Sequence, residues 1–199
     1  MVDMGLDKFF PTVVGHAVNK NKNKNFKKIV NKCHFIKKNY PNGGGAWEQK
    51  NNYTSCDTYN IVKDKEFKLI NDFVNDAVKT YCIQNKINYN KIDQYPRQGW
   101  INIFNEGDNL EYHIHANSII SAVYFLQIPD NSACLKFKSP INDMLQPQCT
   151  ELTIDNCSVG LYKPTEGKVV VFRSHVEHMV ETHKTNKDRI TLAYNFYPA

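Results

Sequence analysis

Arginine is scarce in this chain of 199 residues. Of 25 basic side chains only three are arginines (Arg97, Arg173 and Arg189), and the other 22 are lysines. Proteins that recognise nucleic acids depend on forked arginine contacts to phosphates and bases. A net charge of +5 that comes mainly from lysine therefore argues against a nucleic-acid partner, and each arginine needs its own explanation.

Paired cysteines and long apolar runs are also missing. The six cysteines include no CxxC spacing, which excludes the common zinc-knuckle and dithiol redox motifs. No apolar run approaches the roughly 20 residues that span a bilayer, and the N-terminus shows no basic region followed by an apolar stretch. We therefore expect a cytoplasmic protein with reduced thiols and no membrane partner.

Two amphipathic patterns in the first half of the chain predict helices. Apolar residues recur at three- and four-residue intervals over 25–39 and again over 65–85, which places them on one helical face. The proline- and glycine-containing stretch 40–45 predicts a mobile loop. The short run 9–14 predicts a strand at a sheet margin.

The second half of the chain is typical of a β-protein. Short β-branched or aromatic runs, separated by Gly, Pro, Asn and Asp, predict eight strands. We predict one domain, residues 1–199, with a helical support over about 19–90 and a β core over about 98–197. The predicted fold class is mostly β with flanking N-terminal helices, a double-stranded β-helix of the jelly-roll or cupin-like type. The predicted strands are 100–104, 112–115, 119–128, 134–137, 158–162, 168–172, 178–182 and 189–197.

One histidine pair has the spacing of a metal site. His113 and His115 lie two residues apart in a predicted strand, so their side chains point to the same face. A third histidine from a distant strand would complete a facial triad, which leaves positions around iron open for substrate and oxygen. We choose His178 for this place, and His175 is its competitor.

The histidines are followed by one of the rare arginines, because Arg189 comes eleven residues after His178 on the next predicted strand. With this pattern the region from Trp100 to Tyr197 resembles 2-oxoglutarate- and Fe(II)-dependent oxygenases of the prolyl-hydroxylase-like group. It is most similar to a small bacterial and phage-associated family in which an HxH motif replaces HxD. The resemblance implies an enzyme of a bacterial or phage-infected cell that uses Fe(II), 2-oxoglutarate and O2 to hydroxylate a protein, peptide or amino-acid side chain, with release of succinate and CO2.

The resemblance also implies roles for single residues. His113 and His178 match the family's two histidine ligands, and His115 stands where relatives have Asp. Glu111 shares the strand face of His113 and is the alternative third ligand. Arg189 would pair with the distal carboxylate of 2-oxoglutarate, which needs a fixed and permanently charged forked donor. Further contacts to the co-substrate are expected from Thr191, Asn102 and Tyr124.

Two other functions remain open on the sequence. The same double sheet hosts cupin-like proteins that bind a metal or a ligand without turnover, and a three-histidine dioxygenase would work without an oxo-acid. The first would release no succinate, and the second would not need Arg189. The substrate partner, whether a small molecule, a peptide or a protein, depends on pocket walls that we expect from the loops 40–58 and 140–156.

Overall fold

The computed structural model describes residues 4–5, 7–8, 10–22, 25–44, 51–141 and 148–199. Within these residues the chain forms two α-helices and ten β-strands, arranged in two antiparallel sheets. The prediction of a mostly β fold with flanking N-terminal helices is confirmed. No helix in the described part of the chain is long and apolar enough to cross a membrane.

The eight strands predicted for the second half are all present, with ends that differ by a few residues. The helices are α1 (Phe26–Asn39) and α2 (Lys68–Gln84). The strands are β1 (Val14–Val18), β2 (Tyr53–Thr54), β3 (Gln98–Phe104), β4 (Leu110–His113), β5 (Ile120–Gln127), β6 (Leu135–Lys138), β7 (Val159–Tyr162), β8 (Lys168–Arg173), β9 (His178–Val180) and β10 (Arg189–Phe196). The larger sheet has the strand order β1-β8-β5-β10-β3-β2 and the smaller sheet the order β4-β9-β6-β7.

Both helices bury one face against the larger sheet, as their apolar spacing predicts. Helix α1 ends because Tyr40 precedes Pro41, and a residue before proline avoids helical backbone angles. Tyr40 is accordingly extended, with φ −124° and ψ 139°. Leu69 is an apolar residue of α2 outside this buried face, since its side chain is half exposed.

The apolar core has two layers on the two faces of the larger sheet. One layer, with Ile101 and Leu192, packs under the helices. The other, with Phe104 and Phe172, fills the space between the sheets. Successive side chains of a strand point to opposite faces, so alternate residues of β3, β5, β8 and β10 belong to each layer. A residue of the larger sheet can therefore contribute to a site between the two sheets only if it belongs to the same layer as Phe104 and Phe172.

The N-terminal strand lies further along the chain than predicted. Strand β1 starts at Val14, where it pairs with β8 in the register Val14↔Phe172. It does lie at the margin of the larger sheet. The run 9–14 is apolar in sequence, but Phe10 is exposed and Phe9 lies outside the described residues.

The loop after α1 is more ordered than its glycines suggest. The backbone N–H groups of Gly43 and Gly44 donate to the carbonyls of Thr54 and Cys56, at 2.8 and 3.1 Å. A Cβ atom on Gly43 would overlap the Cys56 carbonyl oxygen. Glycine therefore permits a close backbone approach here. Gly45, the last residue of the predicted loop, lies outside the described residues.

Candidate metal centre

The smaller sheet brings the predicted histidine ligands together. His113 ends β4 and His178 begins β9, and the two residues are direct partners in the ladder. The register shifts between Leu110 and His113, an irregularity of the kind that redirects side chains near functional sites. The ligand nitrogens of His113, His115 and His178 all lie within 4.8 Å of one another. They are close enough to hold one metal ion.

The two competing ligands do not join this cluster. The side chains of Glu111 and His175 are exposed, and neither belongs to the group of metal-binding donors found among the described residues. Glu111 contributes its backbone instead, because its carbonyl oxygen lies 2.8 Å from Nδ1 of His113.

Each histidine of the cluster has its Nδ1 atom next to an oxygen acceptor. His113 contacts the Glu111 carbonyl at 2.8 Å, His178 the Val176 carbonyl at 2.9 Å, and His115 the side-chain oxygen of Asn195 at 2.6 Å. A carbonyl oxygen can only accept, so Nδ1 carries the hydrogen in each ring. Nε2 therefore keeps the lone pair that a metal ligand needs.

Burial keeps these rings neutral. Removal from water, together with the charge of neighbouring His113, lowers the pKa of His115 to about 4. Burial also lowers the pKa of His113, and that of His178 falls well below its ordinary value for the same reason. Because a metal ion binds neutral imidazole, the cluster is ready for a metal at neutral pH.

Arg189 lies on β10 on the face toward the smaller sheet and is fully buried. Its guanidinium carbon lies 4.9 Å from the ring centre of Phe104 and 5.8 Å from that of Phe125. All three guanidinium nitrogens are without a hydrogen-bond partner among the described residues. A buried, uncompensated cation is unfavourable, so this place fits an incoming carboxylate such as that of 2-oxoglutarate.

Two of the three residues predicted to contact the co-substrate beside Arg189 lie on the same face of the larger sheet as Arg189. Thr191 follows two residues later on β10, and Asn102 is its ladder partner on β3. Both are buried. The register of β10 against β5 shifts between Ile190 and Thr191, so the strand is locally irregular beside the arginine.

The prediction for Tyr124 is wrong. Its side chain belongs to the layer under the helices, where its ring lies 6.1 Å from Phe73 and its hydroxyl accepts a hydrogen bond from Asn19 at 3.4 Å. Because neighbours on a strand face opposite ways, Phe125 points to the site in its place. Phe125 and Phe104 therefore contribute apolar rings beside Arg189.

A cavity of about 160 Å³ adjoins the histidines. Its walls come from β3 with Trp100 and Asn102, from the β2 region, and from Asn195. Four residues of the predicted pocket loop 40–58 line this cavity: Gly44, Asn52, Thr54 and Cys56. Of the other predicted loop, the described residues 140–141 and 148–156 do not line this cavity, and 142–147 lie outside the described part of the chain.

Two residues of the cavity were not predicted from the sequence. Asn195 holds His115, and a period of two from Arg189 along β10 could have revealed it, since both residues share a face. Asn52 is buried, and its side-chain oxygen has no hydrogen-bond partner among the described residues. No sequence pattern marks Asn52 as functional.

Comparison with known proteins agrees with this site. A family model described as a 2OG-Fe(II) oxygenase matches residues 98–195, the region that holds the histidines and Arg189. A search of curated proteins by sequence found no match.

Solved structures of low sequence identity share the fold. A prolyl-4-hydroxylase from Pseudomonas putida is 12% identical, with 94% of this chain and 93% of that chain covered and a TM-score of 0.66. A prolyl hydroxylase from Trichoplax adhaerens, crystallised with a peptide fragment of the hypoxia inducible factor oxygen degradation domain, is 14% identical over 92% and 84% of the chains, with a TM-score of 0.63. The α-ketoglutarate-dependent epimerase SnoN of nogalamycin biosynthesis is 8% identical over 94% and 77%, with a TM-score of 0.64.

These neighbours have the double-stranded β-helix fold, which confirms the predicted jelly roll. The donor set fits the family's cofactors, with three neutral imidazoles for Fe(II) and, for the oxo-acid, a guanidinium that no described residue pairs with. Residues 98–195 belong to the 2OG-Fe(II) oxygenase family, whose cofactors are Fe(II), 2-oxoglutarate and O2.

Proposed function

We propose that this oxygenase hydroxylates a C–H bond of a peptide, protein or amino-acid side chain. In this proposal His113, His115 and His178 hold Fe(II), and Arg189 binds the far carboxylate of 2-oxoglutarate, with Thr191 and Asn102 beside it. When bound, iron, oxo-acid and O2 supply the oxidising chemistry and release succinate and CO2. The residues of the chain position these groups and exclude water.

The buried Arg189 is the observation that carries the proposal. Its nitrogens are satisfied only when an acceptor arrives, because none of the described residues supplies one. Phe104 and Phe125 keep water away from the guanidinium, and a charge-assisted, forked contact is stronger where water is excluded. The hydroxyl of Thr191 and the amide of Asn102 can bind further oxygens of the same ligand.

The cavity supports a neutral, polar substrate group. Its described lining contains no Asp, Glu, Lys or Arg, so a charged substrate group would find no counter-ion there. The side-chain oxygen of Asn52, which has no hydrogen-bond partner among the described residues, can accept a hydrogen bond from an N–H or O–H group.

A cytoplasmic location is part of the proposal. Cys33 and Cys82 are buried thiols, and burial raises the pKa of Cys82 to about 11. Such thiols remain protonated and unreactive, as expected of a protein that works in a reducing compartment.

The three-histidine donor set also fits a second candidate function, that of a dioxygenase that does not use 2-oxoglutarate. No carboxylate joins the metal-binding group among the described residues, and an all-imidazole site carries one more positive charge than the two-histidine, one-carboxylate triad. Such an enzyme would not need a buried cation at Arg189, so we favour the oxo-acid reaction.

Succinate release tests the proposal. The purified protein with Fe(II) should convert 2-oxoglutarate to succinate, slowly without a substrate and faster with the right peptide. Arg189→Met should abolish this turnover, whereas Arg173→Met, which changes an exposed arginine, should leave it intact. Oxygen consumption that persists without 2-oxoglutarate and in Arg189→Met would support the second candidate instead.

A further inference from the structure

A row of buried polar side chains leads from His115 across the larger sheet. Nδ1 of His115 lies 2.6 Å from Oδ1 of Asn195, and the same oxygen accepts the Ser121 hydroxyl at 3.1 Å. The hydroxyl oxygens of Ser121 and Ser174 are 2.8 Å apart. Asn195, Ser121 and Ser174 are all buried. The backbone N–H of His115 donates to the Ser174 carbonyl at 3.0 Å, so both ends of the row contact the same histidine.

The hydrogen-bond directions in this row determine one another. Because Ser121 donates its hydrogen to Asn195, the hydrogen between the serines comes from Ser174. Oδ1 of Asn195 has two lone pairs, one for Ser121 and one for His115. An amide turned the other way would donate to Nδ1 and leave the hydrogen on Nε2, where it would block metal binding.

We propose that Asn195, oriented by Ser121 and Ser174, is a positioning residue that makes His115 a metal ligand. The inference rests on the proposed function, since it takes the histidine cluster as the iron site. It concerns the position at which this chain has a histidine in place of the Asp of the HxD motif. There the ligand is an imidazole, whose tautomer and ring orientation must be fixed by a second group.

His115 differs from its two neighbours in how it is held. His113 and His178 contact backbone carbonyls two residues earlier in the chain, and no substitution can remove a backbone carbonyl. His115 instead uses a side chain 80 positions away, on β10. The tautomer of one ligand can therefore be changed by mutation while the other two stay as they are.

The experiment measures the affinity of the whole protein for Mn(II) alone, by anaerobic calorimetry and by electron paramagnetic resonance. Asn195→Leu removes the acceptor at similar volume, and Asn195→Asp keeps an acceptor oxygen. Asn71→Leu is the matched control, because Asn71 is an equally buried asparagine that pairs with Tyr194 and the Ile61 carbonyl on the helix side. Each variant is first checked for the wild-type circular dichroism spectrum.

We expect Asn195→Leu to weaken Mn(II) binding by about 10–100-fold, the usual effect of losing the hydrogen-bond partner of a metal-bound histidine. Asn195→Asp should restore the affinity to within about threefold of wild type, and Asn71→Leu should bind normally even if it unfolds at a lower temperature. In a His115→Ala background, Asn195→Leu should have no further effect, because its partner is already gone.

Wild-type affinity in Asn195→Leu, equal losses in the Leu and Asp variants, or an undiminished effect in the His115→Ala background would each overturn the positioning role and leave the metal site intact. A wild-type protein that binds no Mn(II) would overturn the proposed metal site, and this inference with it.

Discussion

Replacing Arg189 with methionine should stabilise the protein when no co-substrate is present. Burial lowers the pKa of Arg189 to about 10, which corresponds to roughly 3 kcal/mol of destabilisation of the charged form at about 1.4 kcal/mol per pKa unit. Contacts with the rings of Phe104 and Phe125 offset roughly 1–2 kcal/mol of this. Methionine keeps an apolar chain in the same space, so the free energy of unfolding should rise by about 1–2 kcal/mol.

The assay is thermal and urea unfolding in a buffer free of small carboxylate and phosphate anions. For a chain of this size the gain corresponds to a rise in Tm of roughly 3–6 °C. The result should hold across neutral pH, because a cation with a lowered pKa bears its full burial cost below about pH 10 and is relieved only above it. N-oxalylglycine is an analogue of the co-substrate 2-oxoglutarate. With Mn(II) and N-oxalylglycine at about 100 times its Kd, the free energy of unfolding should rise by about 2.7 kcal/mol in the wild type and by almost nothing in the variant.

The order of stability of the two proteins therefore reverses when the co-substrate analogue is added. Arg173→Met, an exposed control, should stay within about 0.5 kcal/mol of wild type and respond to the analogue normally. The reasoning is refuted if Arg189→Met is the less stable protein without ligand, or if both proteins gain equally from N-oxalylglycine.

Three further predictions concern the same region. His178→Ala should abolish Mn(II) binding in calorimetry, whereas the exposed His175→Ala should bind as wild type does; the opposite pattern would exchange their roles. Tyr124→Phe removes a hydroxyl on the helix side, so KM for 2-oxoglutarate should not change and stability should fall by no more than about 1 kcal/mol; a large rise in KM would contradict this placement. Burial lowers the pKa of His115 to about 4, so between that value and the ordinary histidine pKa of about 6.5 the unfolded chain binds a proton that the folded metal-free protein does not. In urea unfolding, the free energy of unfolding should accordingly be full above about pH 6.5 and decline toward pH 4. The decline should be less steep in His115→Gln, and a flat pH profile of the wild type would contradict the prediction.

The metal cluster could be predicted because its signal is local. Two histidines two residues apart on a strand must share a face, and the resemblance to the oxygenase family then assigns roles to His178 and Arg189. The pairing of His113 with His178 could not be read from sequence, since it depends on the register of β4 against β9 and on the irregularity after Leu110.

The error at Tyr124 has a physical cause. Strand β5 is buried on both faces from Ile120 to Leu126, so apart from Ser121 its residues are apolar or aromatic, and no regular alternation tells one face from the other. The orientations of Tyr124 and Phe125 are therefore indistinguishable in sequence. On β10 the polar side chains Arg189, Thr191 and Asn195 do mark a face, and counting in twos along it would have placed Asn195 at the site.

Binding of the oxo-acid to the iron centre tests the central claim most directly. Anaerobic titration of the protein with Fe(II) and then 2-oxoglutarate should produce a visible charge-transfer absorption band, and neither His178→Ala nor Arg189→Met should give the band at the same 2-oxoglutarate concentration. A wild-type protein that shows no band at saturating Fe(II) and 2-oxoglutarate, or an Arg189→Met variant that develops it at wild-type affinity, would contradict the assignment of iron and co-substrate to these residues.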